Sequence, residues 1–321
     1  LWEPWIQGIV TRFISPTSWL GTILVGEFGV VTMTVTYLLF LLLPLVIAFY
    51  LSLAIMEDSG YLPRLATLVD RSLNSIGLNG AAVIPLILGF GCVTMATITT
   101  RLLGSEREKT IAAAILQFAI PCSAQLAVVA ALLAGAGFGA ILIYSITIFI
   151  VFVAVGTVLD RILPGATTPL LIDLPPMRLP SLDNVLRKTT YRTYFFMKEA
   201  TPWFFAGALG VGILQVTGLL TVWQNLLAPL TTGWLQLPRE AATAFVMGMV
   251  RRDFGAAGLY VLALKPHQVV VALVTITLFT PCIASLMVML KERGWKEALM
   301  VWTGTWVVAF FVGGVLSQIL I

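Results

Sequence analysis

The chain has 321 residues, of which 59% are hydrophobic and only 11% are charged, and its formal net charge is +4. Soluble domains carry about 25% charged residues, so this composition excludes a water-soluble core. It predicts an all-α polytopic membrane protein, with the lipid bilayer as its main partner. The surplus of Lys and Arg is typical of cytoplasmic loops and does not indicate a nucleic acid partner.

The first segment, residues 1–27, combines Trp2 and Trp5 with the charged residue Glu3. Indole rings settle at the headgroup level, so this segment predicts an amphipathic helix in the membrane interface. The chain begins at Leu1 and shows no signal-peptide pattern, so we expect that an upstream segment is not shown.

Eight apolar segments follow, each close to the length of about 20 residues that a membrane span requires. They predict about eight transmembrane helices, at 28–55, 81–100, 110–134, 139–162, 197–220, 241–262, 268–290 and 297–320. The connection 163–196 is rich in Lys and Arg and is expected in the cytoplasm. Lys291 and Arg293 then fall on the wrong side, unless 241–262 is a broken or re-entrant element.

An internal repeat is visible in two proline-cysteine segments, IPCSAQLAV at 120–128 and TPCIASLMV at 280–288, which are 160 residues apart. Each is preceded by a glycine-bearing segment that ends in charge. Two-fold repeats are the usual plan of transporters, with the binding site where the repeats meet. The sequence therefore predicts one repeat at 28–162 and another at 197–321, with broken or proline-kinked helices.

The two prolines, Pro121 and Pro281, each remove a helical hydrogen bond and free the carbonyl four residues earlier, at Gln117 and Thr277. A freed carbonyl inside a membrane needs a new partner, which can be water or an ion.

Three cysteines lie in apolar segments: Cys92 after two glycines, and Cys122 and Cys282 beside the prolines. Their thiols, with the thioether of Met95, favour Fe²⁺, Zn²⁺ or Cu⁺ over Mg²⁺ or Ca²⁺. The alternative is that they are small buried hydrophobic residues. The single histidine, His267, excludes most metal sites built from histidine.

Charged residues at two places are candidates for a pore mouth or gate. Glu57 and Asp58 end the first span and can recruit cations, or they form a solvated helix end. Arg251 and Asp253 interrupt an apolar segment, where charge is costly and usually functional. They predict either an ion pair or a loop between two half-helices.

Four segments resemble the membrane portion of the bacterial ferrous iron transport protein B (FeoB) family: EDSGYLPRLATLVDR (57–71), IGLNGAAVIPLILGFGC (76–92), TTR (99–101) and TPCIASL (280–286). The resemblance implies two Gate repeats, related to nucleoside-recognition gates, and a ferrous iron permease in the bacterial inner membrane. It implies Cys92, Cys122 and Cys282 as residues of the Fe²⁺ pathway. Two departures stand out, because Val93 replaces the family's usual Asn and Gln125 its usual Arg.

The resemblance also implies an upstream cytoplasmic GTPase domain that binds GTP and Mg²⁺, and small accessory Feo proteins as partners, and it allows a homo-oligomer. The chain itself has no phosphate-binding loop, so no enzymatic activity is expected of it. Two alternatives stay open: a transporter of nucleosides or another solute, and a non-transporting membrane partner of a separate GTPase. Zn²⁺ and Mn²⁺ also remain open as cargo.

Overall fold

The computed structural model describes residues 43–165, 167–168, 177, 179–250, 252–260, 262, 264–279 and 282–320. These residues form helices joined by short turns, and no β-strand occurs among them. The predicted all-α class is therefore confirmed for this part of the chain. The predicted interfacial helix at 1–27 lies outside it.

The helices are short where the chain is broken and long where it is uniformly apolar. In the first half they are α1 (Leu43–Asp58), α2 (Tyr61–Asn74), α3 (Val83–Gly91), α4 (Val93–Thr99), α5 (Glu106–Phe118), α6 (Ser123–Ala136) and α7 (Phe138–Ile162). In the second half they are α8 (Leu182–Val216), α9 (Leu219–Pro229), α10 (Ala241–Val250), α11 (Arg252–Tyr260), α12 (Pro266–Phe279) and α13 (Ile283–Leu320).

The described residues divide into two compact units. One unit contains α1 and α8, which pack against each other. At the end of α1, the Asp58 carboxylate accepts a hydrogen bond from the Ser181 backbone N–H at 2.8 Å, and Glu57 pairs with Arg192 at 2.8 Å. These contacts fix the start of α8 to the end of α1.

The second unit contains α3 to α7 and α10 to α13, together with most of α2 and the part of α9 from Gln224 onward. Three of its stretches are long and apolar enough to cross a membrane: Glu106–Ala136, Phe138–Ile162 and Pro266–Leu320. The whole described chain offers up to four when the bent pair Leu43–Asp58 and Tyr61–Asn74 is counted as one span.

The predicted count of eight continuous spans is not confirmed, because two of the predicted spans are each divided into short helices. Residues 81–100 form α3 and α4, separated at Cys92, whose backbone is extended at φ −149° and ψ 115°. Residues 241–262 form α10 and α11, with the break between Val250 and Arg252. Hydropathy alone cannot separate such a pair from one continuous span, since both are apolar over about 20 residues.

The α10–α11 pair folds back on itself. A Cβ added to Gly255 of α11 would lie 2.6 Å from the Cα of Gly248 and 2.9 Å from the carbonyl oxygen of Ala244, both on α10. Glycine permits this close approach of two backbones. The structure therefore supports the broken, re-entrant form of 241–262, and α3 and α4 likewise pack against each other.

Part of the predicted connection 163–196 is helical. Helix α8 begins at Leu182, so the last part of that segment is helical and continues into the predicted span at 197–220. The physical reason is local, because no proline or glycine occurs between Pro180 and Pro202. In addition, Asp183 lies in the first helical turn, where a negative charge is favourable.

A sharp kink at Gly294, with φ +82°, divides α13 into two parts. Beside it, Arg293 donates to the Glu106 carboxylate at 2.7 Å and to Glu297 at 3.0 Å, and Arg101 pairs with Glu292. These ion pairs hold the start of α5 and the loop before it beside the kink of α13, on one side of this unit. The charges at 291–296, which conflicted with eight simple crossings, therefore lie beside the 101–109 loop.

Candidate functional site

The three cysteines lie at three interruptions of helices. Cys92 separates α3 from α4, Cys122 precedes α6, and Cys282 precedes α13. All three are half-buried, reduced thiols. The Cys92 thiol interacts electrostatically with both of the others, and the hydroxyl of Thr94 lies 4.0 Å from the Cys282 sulfur. Folding thus brings residues 188 positions apart to one place.

The first break, residues 119–122 between α5 and α6, receives its missing hydrogen bonds from a distant arginine. Pro121 has no N–H for the Gln117 carbonyl. Arg252 donates to that carbonyl at 2.6 Å and to the Ile120 carbonyl at 3.1 Å. Its side chain is buried, with 3% of the residue exposed. The partner that the freed carbonyl required is therefore a guanidinium of the chain itself.

Two buried glutamines connect the halves of this unit. The Gln117 side-chain carbonyl accepts from the Ser285 hydroxyl at 3.1 Å, and its amide donates to Thr97 at 3.3 Å. The Gln125 amide donates to the Thr277 hydroxyl at 3.1 Å, which also lies 3.1 Å from the Tyr144 hydroxyl. The second break, between Phe279 and Ile283, is thus bordered by hydroxyls and a thiol.

The two glutamine contacts join positions that are related by the 160-residue offset of the repeat. Gln117 and Thr277 are 160 residues apart, and so are Gln125 and Ser285. Gln117 bonds to Ser285, while Gln125 bonds to Thr277. The counterparts of one bonded pair thus form the other bonded pair, which is the pattern expected of the predicted two-fold repeat.

One oxygen at the site has no partner among the described residues. The side-chain carbonyl oxygen of Gln125 is buried and accepts no hydrogen bond from them. A buried acceptor without a hydrogen bond lowers the stability of a protein by about 1–3 kcal/mol. The Gln125 oxygen is therefore available to bond with a ligand. Gln125 lies one helical turn after Cys122, on α6.

The remaining predicted site residues differ in their relation to the thiols. Met95 is buried within α4 at 5% exposure, and its backbone hydrogen-bonds the Cys92 thiol. Glu57 and Asp58 belong to the other compact unit. Arg251 and the side chain of Asp253 lie outside the described residues. Within the described ranges, no group of three or more His, Cys, Asp or Glu side chains could hold a metal ion.

Sequence reasoning identified the charged interruption that contains Arg252 and the Gln117 carbonyl freed by Pro121. It did not assign the side chains of Arg252, Gln117, Gln125 or Tyr144 to the site. A signal for three of them was present, because ionisable and amide side chains inside apolar segments are costly and usually functional. The two glutamines lie on either side of the first Pro-Cys pair. Only the tertiary structure shows that Arg252 reaches the carbonyls at that pair.

Two family models match the chain. The Gate model, described as nucleoside recognition, matches residues 39–136 and again residues 197–296. The model of the ferrous iron transport protein B C terminus matches residues 140–192.

Curated relatives from three organisms are similar over long stretches. The Fe(2+) transporter FeoB of Methanocaldococcus jannaschii is 29% identical over 317 residues, which are 86% of this chain and 47% of that protein. The proteins of the same name from Legionella pneumophila (strain Lens) and Staphylococcus aureus (strain COL) are each 32% identical, covering 60% and 54% of this chain.

The chain spans about half the length of the first relative and about a quarter of the other two, 26% and 27%. No solved structure matches it. The paired Gate matches, the FeoB carboxy-terminal match and the relatives agree with one another. The chain belongs to the FeoB family of ferrous iron transport proteins, and it corresponds to their membrane portion.

Proposed function

We propose that the chain forms the path by which Fe²⁺ crosses a bacterial inner membrane. One observation carries the proposal: three thiols from distant segments lie at helix interruptions of one unit, within electrostatic reach of one another and beside hydroxyl groups and backbone carbonyls. Soft sulfur ligands favour Fe²⁺ over Mg²⁺ and Ca²⁺. Interrupted helices offer the backbone oxygens that a passing ion needs in place of water.

The proposed site binds the ion only for a short time. A pathway must hold the ion well enough to replace its water, yet weakly enough to release it. Three fixed thiolates would hold Fe²⁺ too tightly, so one or two of Cys92, Cys122 and Cys282 coordinate at once. Oxygen from the carbonyls and from Gln125 completes the shell, with Met95 as a further sulfur on α4.

The architecture we propose has two repeats related by a two-fold axis in the membrane plane. In chain order each repeat has a first span, an amphipathic helix, a short helical pair, a broken span and a last span. The reciprocal contacts of Gln117 with Ser285 and of Gln125 with Thr277 support this relation. If α3–α4 and α10–α11 do not cross, the described helices make six crossings in place of eight.

With six crossings, the loops rich in Lys and Arg fall on one face. These are the 101–109 loop, the connection after α7, and the residues around the Gly294 kink. The positive-inside rule places that face in the cytoplasm. The ion pair between Arg293 and Glu106 supports the same assignment, because it joins two of these loops.

The proposal includes a cytoplasmic GTPase domain, within the same protein or separate, that uses GTP and Mg²⁺ to control the path. Small accessory Feo proteins and further copies of the chain are proposed partners. Glu57 and Asp58, with Arg251 and Asp253, are proposed to border the entrances to the path. Among these, Glu57 and Asp58 also hold the start of α8, so their replacement tests folding as well as transport.

The description of the Gate model favours a second candidate, a transporter of nucleosides. Such a solute would need polar side chains that are free to bond with it. Most of the polar groups at the site bond to one another instead, notably Gln117 with Ser285 and Gln125 with Thr277. The site therefore supports an ion better than a nucleoside.

Uptake of ⁵⁵Fe²⁺ into proteoliposomes tests the proposal. Replacing all three cysteines with serine keeps their size but exchanges sulfur for oxygen, and we expect uptake to fall roughly tenfold or more. Nucleoside uptake, and competition by Zn²⁺ and Mn²⁺, are measured in the same vesicles. If the correctly inserted triple variant moves Fe²⁺ at the native rate, the cysteines are inert and the sulfur pathway is wrong.

A further inference from the structure

Arg252 is buried in the unit containing the thiols, at 3% exposure, and it donates hydrogen bonds to two backbone carbonyls. Its two terminal nitrogens donate to the carbonyls of Gln117 and Ile120. Both carbonyls belong to the last turn of α5 and the residues after it, where a helix presents its partial negative charge.

The same guanidinium also interacts electrostatically with the thiols of Cys282 and Cys122 and with the phenol of Tyr144. The groups near it therefore include backbone carbonyls, sulfur atoms and a phenol oxygen. These are the groups that would attract a metal ion into the site. A buried positive charge at this place competes with any cation that enters.

Residues at equivalent positions of the two repeats differ in charge at this place. Arg252 is 160 residues from Cys92, so the two residues are counterparts. In the second half, the chain places a permanent cation where the first half has a thiol. Arginine stays charged at all relevant pH values, whereas a thiol is a weak donor.

We propose that Arg252 is a tethered cation that occupies the carbonyls of the first break while no metal is bound, and that an entering Fe²⁺ must displace it. This inference rests on the proposed function, which it deepens by naming the residue that sets the affinity of the site. The displacement keeps binding weak and reversible, as a pathway requires. It also prevents the empty site from exposing unpaired carbonyls.

Anaerobic titration with Co²⁺ tests the inference, because Co²⁺ bound to thiolate absorbs light by charge transfer. The protein is held in nanodiscs. Replacing Arg252→Gln removes the charge but keeps amide donors for the carbonyls. We expect Co²⁺ to bind about tenfold more tightly to this variant, within the usual range of coupling between two competing ligands. Arg252→Lys keeps the charge and should bind Co²⁺ nearly as the native protein does.

Arg107 provides a matched control within the same unit. Its side chain is 8% exposed, donates to the backbone carbonyls of Gly77 and Leu163, and pairs with the Asp160 carboxylate. Arg107→Gln removes a charge without touching the thiols, so the Co²⁺ affinity should stay at the native value. An equal rise in both variants would contradict the inference, since loss of any buried charge would then explain it.

A second measurement uses the native protein and does not depend on the folding of a variant. Displacement should expose Arg252 to phenylglyoxal, so added Co²⁺ should increase its modification, measured by mass spectrometry, relative to that of Arg107. Unchanged modification, or an unchanged Co²⁺ affinity of Arg252→Gln in a protein that transports Fe²⁺, would overturn this inference alone. A native protein with no thiolate band and no Fe²⁺ uptake would overturn the proposed function as well.

Discussion

The two Pro-Cys breaks have similar sequences but different surroundings. At the first break, the carbonyls of Gln117 and Ile120 accept hydrogen bonds from the Arg252 guanidinium. At the second break, the hydroxyl of Thr277 meets the neutral groups of Gln125 and Tyr144, and Thr94 approaches the thiol of Cys282. The first break thus accepts direct hydrogen bonds from a charged side chain, whereas the contacts described at the second break come from neutral groups. The Arg252 guanidinium reaches Cys282 and Tyr144 only through electrostatic interaction.

This difference shows what a repeat can and cannot determine. The local sequence fixes where a helix breaks, because proline removes the same hydrogen bond in both halves. The groups that then surround the break come from other segments, and these have diverged, as Cys92 and Arg252 show. Two equivalent breaks can therefore serve one ion in different ways.

The short helical pairs differ in a similar way. In α10–α11 the backbones meet at Gly248 and Gly255. The positions 160 residues earlier are Leu88 and Met95, and both side chains are buried. The second pair is therefore held by direct contact of backbones, whereas the first uses larger side chains. This reading also gives Met95 a packing role beside its predicted role as a ligand.

The largest expected effect is the loss of Fe²⁺ affinity when Gln125, a proposed oxygen ligand of the ion, is replaced. Gln125→Leu removes the buried acceptor that has no partner among the described residues, and we expect Fe²⁺ affinity to fall about 10- to 100-fold. The Thr277 hydroxyl keeps its contact with Tyr144. Ser285→Ala is the matched comparison, since the Ser285 hydroxyl is already bonded to Gln117. Equal losses in the two variants would mean that Gln125 has no special role.

The next effect concerns the helical pairs and is measured as the free energy of unfolding in detergent. Gly255→Ala would push a methyl group against the backbone of α10, and it should destabilise the protein by about 1–3 kcal/mol. Gly89→Ala would meet side-chain atoms of Leu116 and Ile120 and no backbone within 3.6 Å, and the nearest of these atoms is the movable end of Leu116. If Gly89→Ala costs as much as Gly255→Ala, the backbone contact does not determine the packing of α10–α11.

Double-mutant cycles can then test the proposed two-fold relation. The Gln117–Ser285 and Gln125–Thr277 pairs should show similar coupling energies, about 0.6 kcal/mol each, as for other hydrogen bonds between membrane helices. The cross pair Gln117–Thr277 should show none. Coupling in one pair but not in the other would indicate that the reciprocal contacts are not equivalent in energy.

The smallest effect belongs to the ion pairs beside the Gly294 kink. Glu106 is 77% exposed, so its pair with Arg293 is screened by water. Arg293→Gln should therefore lower the free energy of unfolding by no more than about 1 kcal/mol. Lys109→Gln, which removes another partner of Glu106, serves as its control. A loss of several kcal/mol would show that this cluster holds the two halves together.

The sequence predicted the helical class and the positions of the breaks, because proline and glycine interrupt helices through local chemistry. The predicted count of eight spans is not confirmed, since a folded-back pair of helices is as apolar as one crossing. The sequence also missed the start of α8 at Leu182, where helix-forming residues extend a span beyond its apolar part. The contacts of Arg252 depend on tertiary structure and have no local signature beyond a charge in an apolar segment.

The most direct test of the account is X-ray absorption spectroscopy of Fe²⁺ bound anaerobically to the native protein. The account predicts a mixed shell of one or two sulfur atoms with oxygen atoms, as expected for a site that releases its ion. The sulfur signal should disappear in the triple Cys→Ser variant. A first shell made only of oxygen or nitrogen in the native protein would contradict the claim that the three helix interruptions form an iron path.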